Sequence, residues 1–205
     1  MKLRNTAIAI GIGAATAAGL SLLKVNKDFV VGSATVVLGA GLMIALREEY
    51  DQKKQDKGYE YFFNRAQDKF ELADYEEAIL DYNKALELSP TEICLVYSMR
   101  GNAKRNSGDF DGAISDQNKA LDFDPLYADG YFNRGIAKFK KGDFDGAIQD
   151  YSQVLKINPK DSDAFFNRAN VKKEIEDMKG ACEDWRKAAD LGDDDAKKFL
   201  SENCE

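Results

Sequence analysis

The sequence predicts an all-α fold: four helix-turn-helix units in a solenoid, closed by a C-terminal capping helix and preceded by a hydrophobic helical hairpin. Three observations predict it. Blocks of sequence recur at steps of 35, 34 and 34 residues over about 135 residues. Each copy carries small and aromatic residues at spacings suited to helices, and the chain's three prolines (Pro90, Pro125, Pro159) fall at the ends of successive copies. The first 50 residues hold two long apolar runs instead of any repeat.

The first run, residues 6–23, is rich in Ala and Gly, and the second, residues 29–46, has ten large apolar residues among its eighteen. A membrane-spanning helix needs about 17–25 mostly apolar residues, so both runs are long enough. In the first, Ala7, Gly11, Ala15 and Gly19 fall on one helix face. Such a face lets a second helix approach closely in lipid, where packing drives association. Two other readings of this run stay open. Met1-Lys-Leu-Arg, an apolar stretch and Ala15-Thr-Ala17 also compose a secretory signal with its cleavage site, and an uninserted segment is the third reading.

Basic flanks set orientation. Lys2 and Arg4 precede the first run; Arg47, Lys53, Lys54 and Lys57 follow the second; the bridge holds Lys24 and Lys27. A hairpin therefore favours both ends, and so the repeats, on the cytoplasmic side. Residues 51–58 lack proline, so they are expected to continue the second helix as a juxtamembrane linker.

Charge divides along the same line. Residues 1–57 carry a net +3 and the remainder −10. A body at −10 is a poor match for nucleic acid, which draws on clustered Lys and Arg. Histidine is absent, which removes the Ser-His-Asp and Cys-His nucleophile systems and nearly every zinc site. No catalytic constellation, cofactor, metal site or small-molecule substrate is expected. Cys94, Cys182 and Cys204 show no CxxC spacing and read as a reduced, cytosol-type complement. A link between Cys182 and Cys204 stays open if the C-terminal tail folds back.

The units span residues 59–93, 94–127, 128–161 and 162–193, with 194–205 as capping helix and tail. Their front halves align as Phe62-Phe-Asn-Arg-Ala66, Tyr97-Ser-Met-Arg-Gly101, Tyr131-Phe-Asn-Arg-Gly135 and Phe165-Phe-Asn-Arg-Ala169. Small residues at unit position 8 (Ala66, Gly101, Gly135, Ala169) and Ala at position 20 (Ala78, Ala113, Ala147, Ala181) let two helices cross tightly. Position 27 (Ala85, Ala120, Val154, Ala188) serves the contact with the next unit. Gly108 and Gly142 end first helices through a left-handed residue, and the prolines stop second helices. Ala73 and Glu176 replace that glycine in the outer units, where one face of a stack lacks a partner.

A period of 34 with this pattern resembles the tetratricopeptide repeat. The resemblance implies a right-handed superhelix whose first helices line a concave groove, and partner contacts at positions 2, 5, 9, 12 and 13. Carried over, these give Phe63, Gln67, Phe70, Asn102, Arg105, Phe132, Phe139, Lys140, Phe166, Asn170 and Lys173. Aromatics interleaved with amides and cations suit an extended peptide or partner helix. Members that bind chaperones clamp a C-terminal carboxylate with Lys and Asn, where this chain has Phe63 and Gln67, so a heat-shock co-chaperone is not implied. Arg105, Lys140 and Lys173 remain able to hold an acidic segment.

One pattern is the chain's own. All four units have Arg at position 7, Lys at 11 and Asp at 23. Positions 7 and 11 share a helix face, and 23 lies on the antiparallel partner, so a ladder of Arg–Asp pairs is expected. The functional expectation is a membrane-anchored scaffold or assembly factor that binds a protein partner, with a structural subunit of a larger membrane complex as the alternative.

Overall fold

Each unit closes on alanines and glycines with no side chain to spare. Ala78, Ala113, Ala147 and Ala181 are almost wholly buried. Gly101 and Gly135 meet the second helix so closely that a Cβ at Gly101 would stand 3.3 Å from the Ala113 carbonyl oxygen and one at Gly135 3.0 Å from the Tyr151 ring. Small residues let two backbones approach, and the larger side chains fill the space around them.

The computed structural model describes residues 33–88 and 93–204. Among these residues there are nine helices and no strand: α1 (Ser33–Glu71), α2 (Tyr75–Glu87), α3 (Ile93–Asn106), α4 (Phe110–Phe123), α5 (Ala128–Lys141), α6 (Phe144–Ile157), α7 (Ser162–Glu174), α8 (Met178–Asp190) and α9 (Asp194–Asn203). From α2 onward each helix packs on its chain neighbour, and α3 also meets α5. The result is an all-α solenoid. The chain divides into units Met1–Glu49 and Tyr50–Glu205, and the repeats occupy the second.

The turn inside each unit uses one device four times. One or two residues past the first helix the chain takes positive φ, at Ala73 (60°), Gly108 (91°), Gly142 (83°) and Glu176 (62°). The next amide then bonds back to the helix, from Asp74, Asp109, Asp143 and Asp177 to the carbonyls of Lys69, Lys104, Lys138 and Lys172. Glycine adopts this conformation without cost, whereas Ala73 and Glu176 do not. Glu176→Gly is therefore expected to raise stability by about 1 kcal/mol, measured by urea denaturation; an unchanged midpoint overturns that reading.

The aspartate that closes this turn also starts the next helix. Asp109, Asp143 and Asp177 accept hydrogen bonds from the amides of Gly112, Gly146 and Gly180. A Cβ on Gly146 would lie 2.2 Å from the Asp143 carboxylate, so here glycine lets the carboxylate sit close, whereas Asp161 and Asp193 cap the amides of Ala164 and Ala196 in the same way. The first unit lacks the cap. Glu77 stands at that position, Asp74 makes no side-chain cap, and Glu77 bonds Lys69 at 3.1 Å instead. Between units, Asp124 and Asn158 are extended, as residues before proline must be.

The C-terminus departs from expectation. Cys182 on α8 is disulfide-bonded to Cys204, their Cα atoms 5.9 Å apart. Two of the three cysteines are thus a crosslink rather than reduced apolar filler, because α9 folds back along α8. Phe199 and Leu200 of α9 pack with Trp185 and Phe166, as an inward-facing cap requires. Cys94 is a free thiol that donates to the Ala120 carbonyl, and burial pushes its pKa up.

Among the described residues no helix is long and apolar enough to cross a membrane. The apolar run 6–23 lies outside them altogether, and 29–46 lies partly outside.

Candidate functional site

At 100° per residue, unit positions 4, 7 and 11 form one stripe of each first helix, and positions 5, 9 and 12 lie roughly opposite. The two stripes do different things.

The first stripe is a charge ladder. Arg65, Arg100, Arg134 and Arg168 each hold Asp81, Asp116, Asp150 and Asp184 through two parallel hydrogen bonds of 2.6–2.9 Å. Lys69, Lys104, Lys138 and Lys172 reach the same carboxylates at 2.7–2.9 Å. All four aspartates are buried. Each guanidinium also lies over the position-4 aromatic of its own unit, Phe62, Tyr97, Tyr131 or Phe165, at 5.3–5.7 Å.

The Arg–Asp pairs follow from the sequence; a further link does not. Arg100, Arg134 and Arg168 donate a third bond backwards, to Asn83, Asn118 and Ser152 of the preceding unit, at 2.6–2.9 Å. One side chain thus ties its two helices together and ties its unit to the last. Position 25 carried the signal, since it is short and polar in the three units that have a successor and Arg186 in the one without.

Electrostatics follow this geometry. The Arg65 hydrogen bond outweighs burial and, with Lys69, holds Asp81 at about 2 instead of 3.8. Burial raises Asp184, but bonds from Arg168 and Lys172 prevail and its pKa falls below the usual carboxylate value. A carboxylate depressed in the folded state contributes stability above its unfolded pKa and loses it as pH falls towards the folded one. Melting temperature is therefore expected to hold from pH 7 to about 5 and drop steeply between about 4 and 2. A flat profile through that window would contradict a buried, ionised ladder.

The opposite stripe holds the residues singled out for partner binding. Its floor is position 24 of each second helix: Tyr82, Gln117, Tyr151 and Trp185, all buried. Phe63 is itself buried against Tyr82, with the rings edge to face. Phe132 stands on Tyr151 in the same way, and Phe166 on Phe199; both remain half-buried. Phe70 packs on Tyr75 and Phe139 on Phe144. Asn102 and Asn170 accept hydrogen bonds from Gln117 Nε2 and Trp185 Nε1, which fixes their amides. Gln67 and Arg105 are half-buried, Lys140 and Lys173 exposed. All eleven lie on first helices; Phe70, Phe132 and Phe139 also pack within their units, and Phe166 packs on α9.

Antiparallel helix pairs stacked in chain order define a helical-repeat solenoid. Residues 59–92 and 128–161 match the tetratricopeptide repeat profiles, and 101–142 match the TPR repeat profile, so the repeats over these residues are tetratricopeptide repeats. No curated protein matches the chain in sequence. Among solved structures, one described as YrrB, a TPR protein with an unusual peptide-binding site, superposes with a TM-score of 0.63 at 20% identity, covering 80% of this chain and 88% of its own. MamA from Desulfovibrio magneticus RS-1 gives 0.62 at 19%, covering 68% and 77%. The first TPR of Spaghetti (RPAP3), bound to the HSP90 peptide SRMEEVD, gives 0.56 at 24%, covering 58% and 94%. At these identities the likeness concerns the fold.

Proposed function

We propose that the chain is a membrane-anchored protein-interaction scaffold whose first helices hold a peptide or helix of another protein. One observation carries the reading. The ladder stripe has every charge paired, whereas the opposite stripe keeps half-buried aromatics, two fixed asparagines, Lys173 over the Phe199 ring, and Arg105 and Lys140 with no ion pair among the described residues. Solved relatives of the same fold include proteins described as binding peptides. Residues 6–23 and 29–46 supply the anchor, and basic flanks place the repeats on the cytoplasmic face. The Cys182–Cys204 pair is the opposing signal, since disulfides persist in oxidising compartments.

The test uses full-length protein in native membranes. Resistance to alkaline carbonate extraction supports the anchor, and release into the supernatant overturns it. Protease protection of the repeats reports their side. Crosslinking with Phe132→Ala and Phe166→Ala should then lose or redistribute the captured partners while each variant still melts cooperatively. Identical crosslinks in folded variants remove the stripe from the account.

A further inference from the structure

The aromatic row is broken in one unit. Positions 5 and 24 pair as Phe63 with Tyr82 and Phe132 with Tyr151, and Phe166 and Trp185 meet through Phe199, but in the second unit they are Ser98 and Gln117, both buried. There Gln117 Nε2 donates to the Ser98 carbonyl at 3.1 Å, the Tyr127 hydroxyl bonds Ser98 at 3.4 Å, and Gln117 Oε1 is left without a partner. On the same helix, two turns on from Ser98, stands Arg105. It is half-buried beside Tyr75 and Tyr151, forms no ion pair or hydrogen bond among the described residues, and burial lowers its pKa.

Every other arginine on the first helices of the repeats has its own buried aspartate. A cation drawn out of water with no counter-charge is unfavourable, and an incoming carboxylate relieves it. The geometry points to a polar notch in the second unit, where Arg105 receives a carboxylate side chain from an extended acidic segment of a partner protein. This deepens the scaffold reading and rests on it.

The neighbouring units set the register. Packed helices lie about 8–10 Å apart, and an extended chain advances about 3.3 Å per residue, so one unit corresponds to about three ligand residues. Phe139 occupies the Arg105 position one unit on, with Lys140 beside it, and Lys173 occupies that position two units on. The segment therefore carries an acid over Arg105, an apolar residue about three further over Phe132 and Phe139, and a second acid about six further over Lys173. Single cations spaced along the row match separated carboxylates; a phosphate would call for several around one anion. The net −10 of the body keeps unspecific adhesion of acidic peptides weak, so saturable binding reports the notch.

The probe is a fluorescein-labelled Gly/Ser/Thr peptide with two glutamates about six residues apart and a phenylalanine midway. It is titrated by anisotropy against the full chain in detergent at about 150 mM salt. Saturable binding is expected, weakened about tenfold by Arg105→Gln and less by Arg105→Lys or Lys173→Gln, and unchanged by Lys156→Gln on the exposed face of α6. Free Arg105→Gln should melt no lower than the parent, because an uncompensated half-buried cation has been removed; a clear fall marks a structural role and overturns the proposal. Equal binding of a lysine-for-glutamate peptide, equal binding by Arg105→Gln, or no saturable binding overturns it too. If the acidic peptide fails while the Phe132 and Phe166 variants still change the crosslinks, the scaffold reading stands and the notch falls.

Discussion

Asp150→Ala is expected to destabilise the repeat body by about 3 kcal/mol, lowering its melting temperature by roughly 6–12 °C. The loss exceeds the worth of one ion pair because of what remains. Asp150 is 3% exposed, and its two cations, Arg134 and Lys138, are each 18% exposed. Without the carboxylate both stay largely out of water with no counter-charge. Arg134 also loses the bonds that aim its third donor at Asn118, so the junction with the preceding unit weakens with it. A control separates desolvation from lost attraction. Arg134→Met, Lys138→Met and Asp150→Leu together should recover most of the stability, since apolar groups of similar volume avoid the burial cost. The first unit should be the most forgiving site, because Arg65 is 37% exposed and water already screens that pair. An Asp150→Ala melt within error of the parent would mean that the ladder is ornamental.

Reducing the Cys182–Cys204 bond is expected to loosen the C-terminus by about 3 kcal/mol, the loop-closure value for a crosslink of this span. The sequence separation is 22 residues, and it encloses most of α8 and the whole of α9. At ten residues α9 is too short to persist alone. It is held by the disulfide and by Phe199, whose ring centroid lies 5.3 Å from Trp185 and 5.5 Å from Phe166. Trp185 is the chain's single tryptophan and is fully buried, so its fluorescence reports opening of this end. A phosphine reductant should lower the tryptophan-detected melt and raise the titrated thiols of unfolded protein from one, Cys94, to three. Cys182→Ser/Cys204→Ser should melt at the reduced temperature and ignore the reductant. Three thiols before reduction would contradict the pairing. The same titration on protein taken directly from cells reads the redox state of the compartment that holds the repeats.

The repeat was legible because a stack reuses the same contacts. Ala78, Ala113, Ala147 and Ala181 occupy equivalent crossings, so a 34-residue step shows in the sequence before any helix is placed. The Arg–Asp ladder was legible for the same reason: a pair required in every unit recurs in every unit. Gly108 and Gly142 marked the left-handed turns, and the exceptions Ala73 and Glu176 identified the outer units. The proposed binding face was less legible. Its positions came from resemblance, and the sequence did not reveal that Phe63 is buried on Tyr82 or that Asn102 and Asn170 are tied to the second helices.

By itself the sequence determined the helical repeat and the charge pairing inside each unit. These depend on residues close together in a repeated segment, so local pattern suffices. Only the tertiary structure decided the bonds from Arg100, Arg134 and Arg168 to the preceding unit, the closure of α9 onto α8 through Cys182 and Cys204, and the isolation of Arg105 in a row of paired arginines. Each depends on which side chains meet across units or at a chain end, and that is set by packing in three dimensions; the period marked position 25 as polar without naming its partner.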